Sequence, residues 1–340
     1  MAHALPGRTT GGADTTARLV VASRVVFLVL TSAFGMAALA GTRLSMPAQA
    51  AVYLGLMGTV SLWHGGFEHV ANLKGRGERF QARYLAAYLV LVAVAVGAYL
   101  AAPVIGLTVA VAVTVLKGGY GGLSVLERLA DADLDHLRSP RRRAVGALVR
   151  GGAVMVVPYV THPGIYSTVA GAMVAFFDPA AVGGVAPLFA PTLRGVVGGA
   201  YVGIALAYLA YAHQRTGGRA WLLEAGETLL LVAYFAVVPP VVAVGVYFPC
   251  WYAARQVARM ADAGDTEPAL GRVAVRVFRG GFLPWVGAVA ILVGLAVWLP
   301  GPRSSTGWVA LYSVFVAAIA LPHVVVGGWL DRTQGIWAVD

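Results

Sequence analysis

The run Ser61-Leu-Trp-His-Gly-Gly-Phe-Glu-His69 sets two imidazoles and a carboxylate side by side in an otherwise apolar stretch of chain. On a helix, His64 and Glu68 are four residues apart and share a face, while His69 lies about 140° round from His64. One imidazole and one carboxylate can therefore face a common interior site. Neutral imidazole suits iron, copper or zinc, and a neighbouring carboxylate either ligates the metal or orients the histidine. The same pair also suits a structural role at a helix end beside Arg76, and residue types alone leave both readings open. Two further carboxylates, in Trp221-Leu-Leu-Glu-Ala-Gly-Glu-Thr228, read as Glu224 and Glu227 favouring the positive end of a helix dipole rather than as catalytic groups. His136 falls in a charged loop, and His162 and His213 fall at span ends where water satisfies them; none of the three calls for a function.

The elements that carry these residues are membrane spans. The chain has 340 residues, 59% hydrophobic and 12% charged, whereas about a quarter of the residues of a soluble domain are charged. A single cysteine, Cys250, excludes an intrachain disulfide and any CxxC or zinc-ribbon site. The net charge of +10 is nearly all arginine, Lys74 and Lys117 being the only lysines. It marks loops and not a nucleic-acid surface, so no nucleic-acid partner is expected. Since a helix needs roughly 20 apolar residues to cross a bilayer, the runs 25–41, 48–63, 84–102, 104–116, 144–160, 193–213, 221–238, 239–254, 282–300 and 308–330 give roughly eight to ten spans. All read as helices, because barrel strands would alternate in polarity. The stretch 164–191, cut by Asp178, Pro179 and several glycines, reads as a short re-entrant or interfacial piece, and Pro239-Pro240 separates two neighbouring spans.

The expected fold class is thus an all-α polytopic transmembrane helical bundle. Residues 1–17 are expected to form a disordered cytoplasmic N-terminus, 18–331 a single transmembrane domain and 332–340 a short tail. Arginines cluster in 73–83, 128–143, 214–219 and 255–279, which puts those loops and both termini in the cytoplasm of a multi-pass plasma-membrane protein. The long polar start favours an uncleaved first helix over a signal peptide ending near residues 38–40. No internal repeat is evident, which argues against a transporter with inverted repeats.

Taken in order, the motifs resemble those of the Brp/Blh family of beta-carotene 15,15'-dioxygenases. His64-Gly65-Gly66-Phe67-Glu68-His69 is similar to that family's first motif, His-Gly-x-x-Asp-His, with Glu68 in place of the aspartate. Gly226-Glu227-Thr228, Pro239-Pro240 and Tyr247-Phe248 are similar to the run leading to its last metal motif. Leu321-Pro-His-Val-Val-Val and Trp329-Leu-Asp-Arg-Thr-Gln-Gly-Ile-Trp337 resemble its C-terminal signature. The resemblance covers most of the chain. It implies cleavage of beta-carotene at its central double bond by O2, with ferrous iron held by four histidines, to give two molecules of all-trans-retinal. It also implies an apolar tunnel open to the bilayer, a polyene ligand, and a retinal-binding protein as a partner for the product.

Position by position, His64 matches the first ligand. Gly119 stands at the second, in Gly119-Tyr120-Gly121-Gly122-Leu123-Ser124, where the family has His-Phe-Gly-x-x-Asp. Tyr252 and Gln256 stand where the family has the two histidines of Trp-His-x-x-Arg-His, while Trp251 and Arg255, the frame of that motif, are retained. His69 and His213 are the nearby substitutes, His69 being the one taken as a ligand, and Glu68 is the carboxylate for a catalytic role. The altered positions keep a second expectation open: a catalytically inactive relative that binds carotenoid or retinal, or assists the biogenesis of a retinal protein.

Overall fold

The computed structural model describes residues 10–67, 82–129, 134–256, 270–301 and 304–333. Glu68 and His69, the remaining residues 1–9 of the expected N-terminal segment and 334–340 of the expected tail lie outside them. All the regular structure among the described residues is helical: α1 (Thr10–Leu39), α2 (Met46–Leu56), α3 (Ala82–Ala101), α4 (Pro103–Leu129), α5 (Pro140–Thr161), α6 (Pro163–Ala175), α7 (Pro191–Arg215), α8 (Gly218–Val237), α9 (Pro240–Val246), α10 (Leu270–Trp298) and α11 (Ser305–Thr333). Seven of these helices are long and apolar enough to cross a membrane, and the chain is an all-α, multi-pass membrane bundle. The expected break at 164–191 is present: α6 is followed by two short 3-10 turns, Pro179–Gly184 and Ala186–Phe189.

Proline and glycine set the boundaries. α4, α5, α6, α7 and α9 each begin on a proline, whose missing N–H costs nothing in the first turn. Ser139 also caps α5, its Oγ accepting from Arg142 N at 3.3 Å. Between α7 and α8, Gly217 and Gly218 take φ of +61° and +54°, a left-handed turn that a side chain would strain.

The core runs along α11 and α5, of whose spans 61% and 56% of residues are buried, against 11% for α10 and 17% for α1 and α7. α10 carries Phe278, Phe282, Leu283 and Val297 on its exposed side, as a lipid-facing helix should. α4 and α5 form the most extensive pair, and glycine permits it. A Cβ on Gly119 would fall on the Ala147 carbonyl, and one on Gly151 on the Val115 carbonyl, the small-residue contact by which membrane helices bring their backbones together.

α2 and α9 each run into a π-helical turn, Met57–Ser61 and Tyr247–Ala253, and then continue as helix over 62–67 and 254–256. The two turns pack on one another. The first is braced from α10: Trp285 Nε1 donates to Gly58 O at 3.2 Å, and the Trp285 ring stacks on Trp63 at 4.6 Å. Replacing Trp285 with Phe keeps the stack and removes the donor. It should lower stability by about 1 kcal/mol, the worth of one such hydrogen bond, read as a lower unfolding midpoint in detergent.

Candidate functional site

The paired π turns deliver the sequence-predicted residues to one place. His64, 4% exposed, follows the first turn. Tyr252 lies in the second, and Gln256 comes one turn later. The His64 and Tyr252 rings meet edge to face with centroids 6.4 Å apart. Gln256 Nε2 donates to Gly121 O on α4 at 3.0 Å. The Tyr252 ring occupies the space that a Cβ on Gly121 would need, so glycine at 121 is a condition for this arrangement. Gly121, Gly122, Val125, Tyr247, Trp251, Tyr252, Arg255 and Gln256 wall a small chamber of about 10 Å³, the space of a single water-sized group.

Gly119 does not join them. It faces Ala147 on α5, where no side chain fits, so the position that the motif match assigns to a second ligand is a helix-packing position. The rotation of α4 turns Gly121, and not Gly119, toward Tyr252, and Gly122 toward Arg150.

A larger, partly open cavity of about 130 Å³ lies between α2, α4, α6, α9 and α11. Its wall is almost wholly aliphatic and aromatic, with Met57, Leu107, Met173, Val241, Phe248 and Val316 among the lining residues. The four lining hydroxyls are turned to protein partners. Tyr53 Oη and Ser313 Oγ are 3.0 Å apart, Ser313 donates to Val309 O at 2.7 Å, Thr114 to Ala110 O at 2.8 Å and Tyr166 to Met155 Sδ at 3.3 Å. Such a wall suits an apolar ligand. Phe248 lines this cavity and meets Tyr252, a wall of the small chamber, at 6.0 Å between ring centroids. One aromatic layer separates the two.

Beneath the chamber lies a buried ionic cluster that overturns three sequence expectations. Glu227 does not act on a helix dipole. It lies well beyond the first turn of α8, where that effect has faded, and is gripped by three arginines: Arg24 at 2.7 Å, Arg150 at 2.5 Å and Arg255 at 2.8 Å. Arg255, expected in a cytoplasmic loop, is 3% exposed; its guanidinium lies 3.6 Å over the Trp251 ring and donates to Ser23 Oγ at 3.0 Å. His136, expected in a charged loop, is fully buried and pairs with Glu224 at 2.7 Å, while Tyr208 also donates to that carboxylate. Because buried charges must be paired, each of these groups has a structural reason to be where it is. The retained Trp251 and Arg255 thus work as a frame, fixing the helix that carries Tyr252 and Gln256. No periodicity in the sequence marks Arg24 or Arg150 as partners of Glu227.

Fold and site together define a polytopic membrane protein with an internal cavity for a lipid-soluble ligand. The family model described as beta-carotene 15,15'-dioxygenase matches residues 55–331. The chain is 44% identical over 338 residues to a protein named probable beta-carotene 15,15'-dioxygenase Brp in two strains of Halobacterium salinarum, covering 93% of each chain. It is 37% identical over 320 residues to one named probable beta-carotene 15,15'-dioxygenase Blh from the same organism, covering 91% of this chain and 92% of the relative. No solved structure matches. The chain belongs to the Brp/Blh family of beta-carotene 15,15'-dioxygenases.

Dioxygenase relatives point to a metal cofactor, and the residues here can be tested against one. Of the four positions that the motif match assigns to histidine ligands, one offers an imidazole, His64. Tyr252 offers a phenol, Gln256 an amide tied to Gly121 O, and Gly119 nothing. Among the described residues no group of three or more His, Cys, Asp or Glu is placed to hold a metal ion. The described residues do not fit a four-imidazole iron centre.

Proposed function

We propose that this chain takes beta-carotene, or a closely related apolar polyene, from the bilayer and acts as a beta-carotene 15,15'-dioxygenase, splitting the central double bond with O2 so that one oxygen atom goes to each of two all-trans-retinal molecules. The observation that carries this reading is the apolar cavity, with its hydroxyls tied to protein groups, ending one aromatic layer from the chamber of Tyr252, beside which His64 stands. The cavity wall binds and aligns the polyene and excludes water. Phe248 and Tyr252 set how near it comes to His64. Ferrous iron is the cofactor of this reading, with His64 as its proposed ligand, His69 as a proposed second and Glu68 as the carboxylate beside them. The arginine distribution supports a plasma-membrane location with the arginine-rich loops and both termini in the cytoplasm. A retinal-binding membrane protein is the proposed recipient of the product.

A second reading, a relative that binds carotenoid or retinal without cleaving it, is favoured by the motif match, which puts Tyr252 and Gln256 where it expects two histidines. Iron content and retinal yield of the detergent-solubilised protein, given ferrous iron, O2 and beta-carotene, separate the two. Stoichiometric iron and retinal, both lost in His64→Ala, are expected. Absence of iron with carotenoid left intact would overturn cleavage and leave the binding role.

A further inference from the structure

The chamber beside His64 contains a group that the cleavage of a hydrocarbon does not use. Gln256 is 2% exposed, and its side-chain amide is oriented by one bond: Nε2 donates to Gly121 O at 3.0 Å. That bond fixes which end of the amide is oxygen. Among the described residues nothing donates to Oε1, although the atom is buried. A buried acceptor without a donor costs about 1–3 kcal/mol, and it costs less once a ligand supplies the hydrogen. Gln256 lines the small chamber, whose other walls are Gly121, Gly122, Val125, the rings of Tyr247, Trp251 and Tyr252, and Arg255, whose guanidinium is engaged by Glu227 and Ser23. The chamber, at about 10 Å³ against about 130 Å³ for the large cavity, has room for little more than one water-sized group, and the Phe248 and Tyr252 rings meet between the two.

We propose that Gln256 Oε1 is the acceptor of a subsite for the chain-terminal hydroxyl of a retinoid-type polyene alcohol, the polyene lying in the large cavity and its hydroxylated end entering the chamber past Phe248. The inference rests on the reading of the large cavity as a polyene site and adds to it a ligand class: a primary alcohol, which donates, in place of a hydrocarbon, which cannot. An aldehyde does not satisfy Oε1, since both are acceptors. The chamber has room for the hydroxyl itself and not for a substituted ring. Trp251, in the chamber wall, supplies the signal, because a polyene held there quenches its fluorescence.

The test uses the full chain in detergent without added metal and follows tryptophan quenching by all-trans-retinol, by retinol methyl ether, which keeps the shape and lacks the donor, and by beta-carotene. The expected result is at least tenfold tighter binding of retinol than of its ether, and loss of that preference in Gln256→Leu, read as the ratio of the two affinities within each protein. Equal affinity for retinol and its ether in the unaltered protein would overturn the proposal without need of any variant. A preference retained in Gln256→Leu would overturn it too, because the hydroxyl would then be recognised elsewhere. Loss of quenching by all three ligands would sink the polyene reading itself, an outcome distinct from either of these.

Discussion

Glu227→Gln should destabilise the protein by about 3–5 kcal/mol, the cost of removing one partner from a buried charge set. Arg150 and Arg255 are nearly inaccessible and Arg24 is part-exposed, and all three direct their guanidinium groups at this one carboxylate. The substitution keeps the shape and removes the negative charge. Two buried cations then face an amide that can neutralise neither. The cluster also joins α1, α5, α8 and the helix that follows the second π turn, so the loss is expected to spread from a local contact to the docking of four helices. It would be measured as a fall in the unfolding midpoint and in the yield of monodisperse protein in detergent. Arg24→Gln, altering the most exposed partner, should cost about 1 kcal/mol or less. A Glu227→Gln protein with unaltered stability would show that the arginines are held by something other than this carboxylate.

The second large effect concerns the attempt to restore a family ligand. Gly119→His places a histidine where the motif match expects one, yet the new Cβ would lie on the Ala147 carbonyl. Moving α5 away disturbs the most extensive helix pair in the bundle. A loss of about 3 kcal/mol or more is expected, at or beyond the upper end of ordinary overpacking, together with no gain in bound iron. Stability is read from thermal unfolding and metal from elemental analysis of the purified variant. A stable Gly119→His protein that binds iron would show that α4 can rotate to present residue 119 to Tyr252.

These two cases mark the limit of what the sequence discloses. The spans, the interruption at 164–191 and the break at Pro239-Pro240 are legible because bilayer thickness and proline chemistry act locally. The meeting of His64, Tyr252 and Gln256 is legible through the order of the motifs. The orientation of Gly119 is not, since a glycine reads alike whether it faces a ligand or a neighbouring backbone. Nor is the grip on Glu227, whose partners lie as far off as Arg24 and carry no signal beyond being arginine. Arg255 shows the failure most clearly: by composition it begins a basic loop, and only the buried carboxylate opposite shows why it is there.

The π turn in α2 amounts to a phase change. An unbroken helix advances by a fixed angle of about 100° per residue, and a π bulge admits one residue more than that winding requires. Up to the start of the turn, Ala50, Tyr53 and Met57 are buried at intervals of three and four, with Gln49 beside Ala50, a single inward stripe; after it, Leu62, His64 and Gly66 are buried at every second position. The same strand of helix thus serves two neighbours in succession. Its first half lines the cavity, and its second is clamped on opposite flanks, toward Tyr252 on one and toward Phe278, Phe282 and Trp285 of α10 on the other. His64 therefore owes its direction to the one extra residue, held in place by an indole from the most lipid-exposed helix of the bundle.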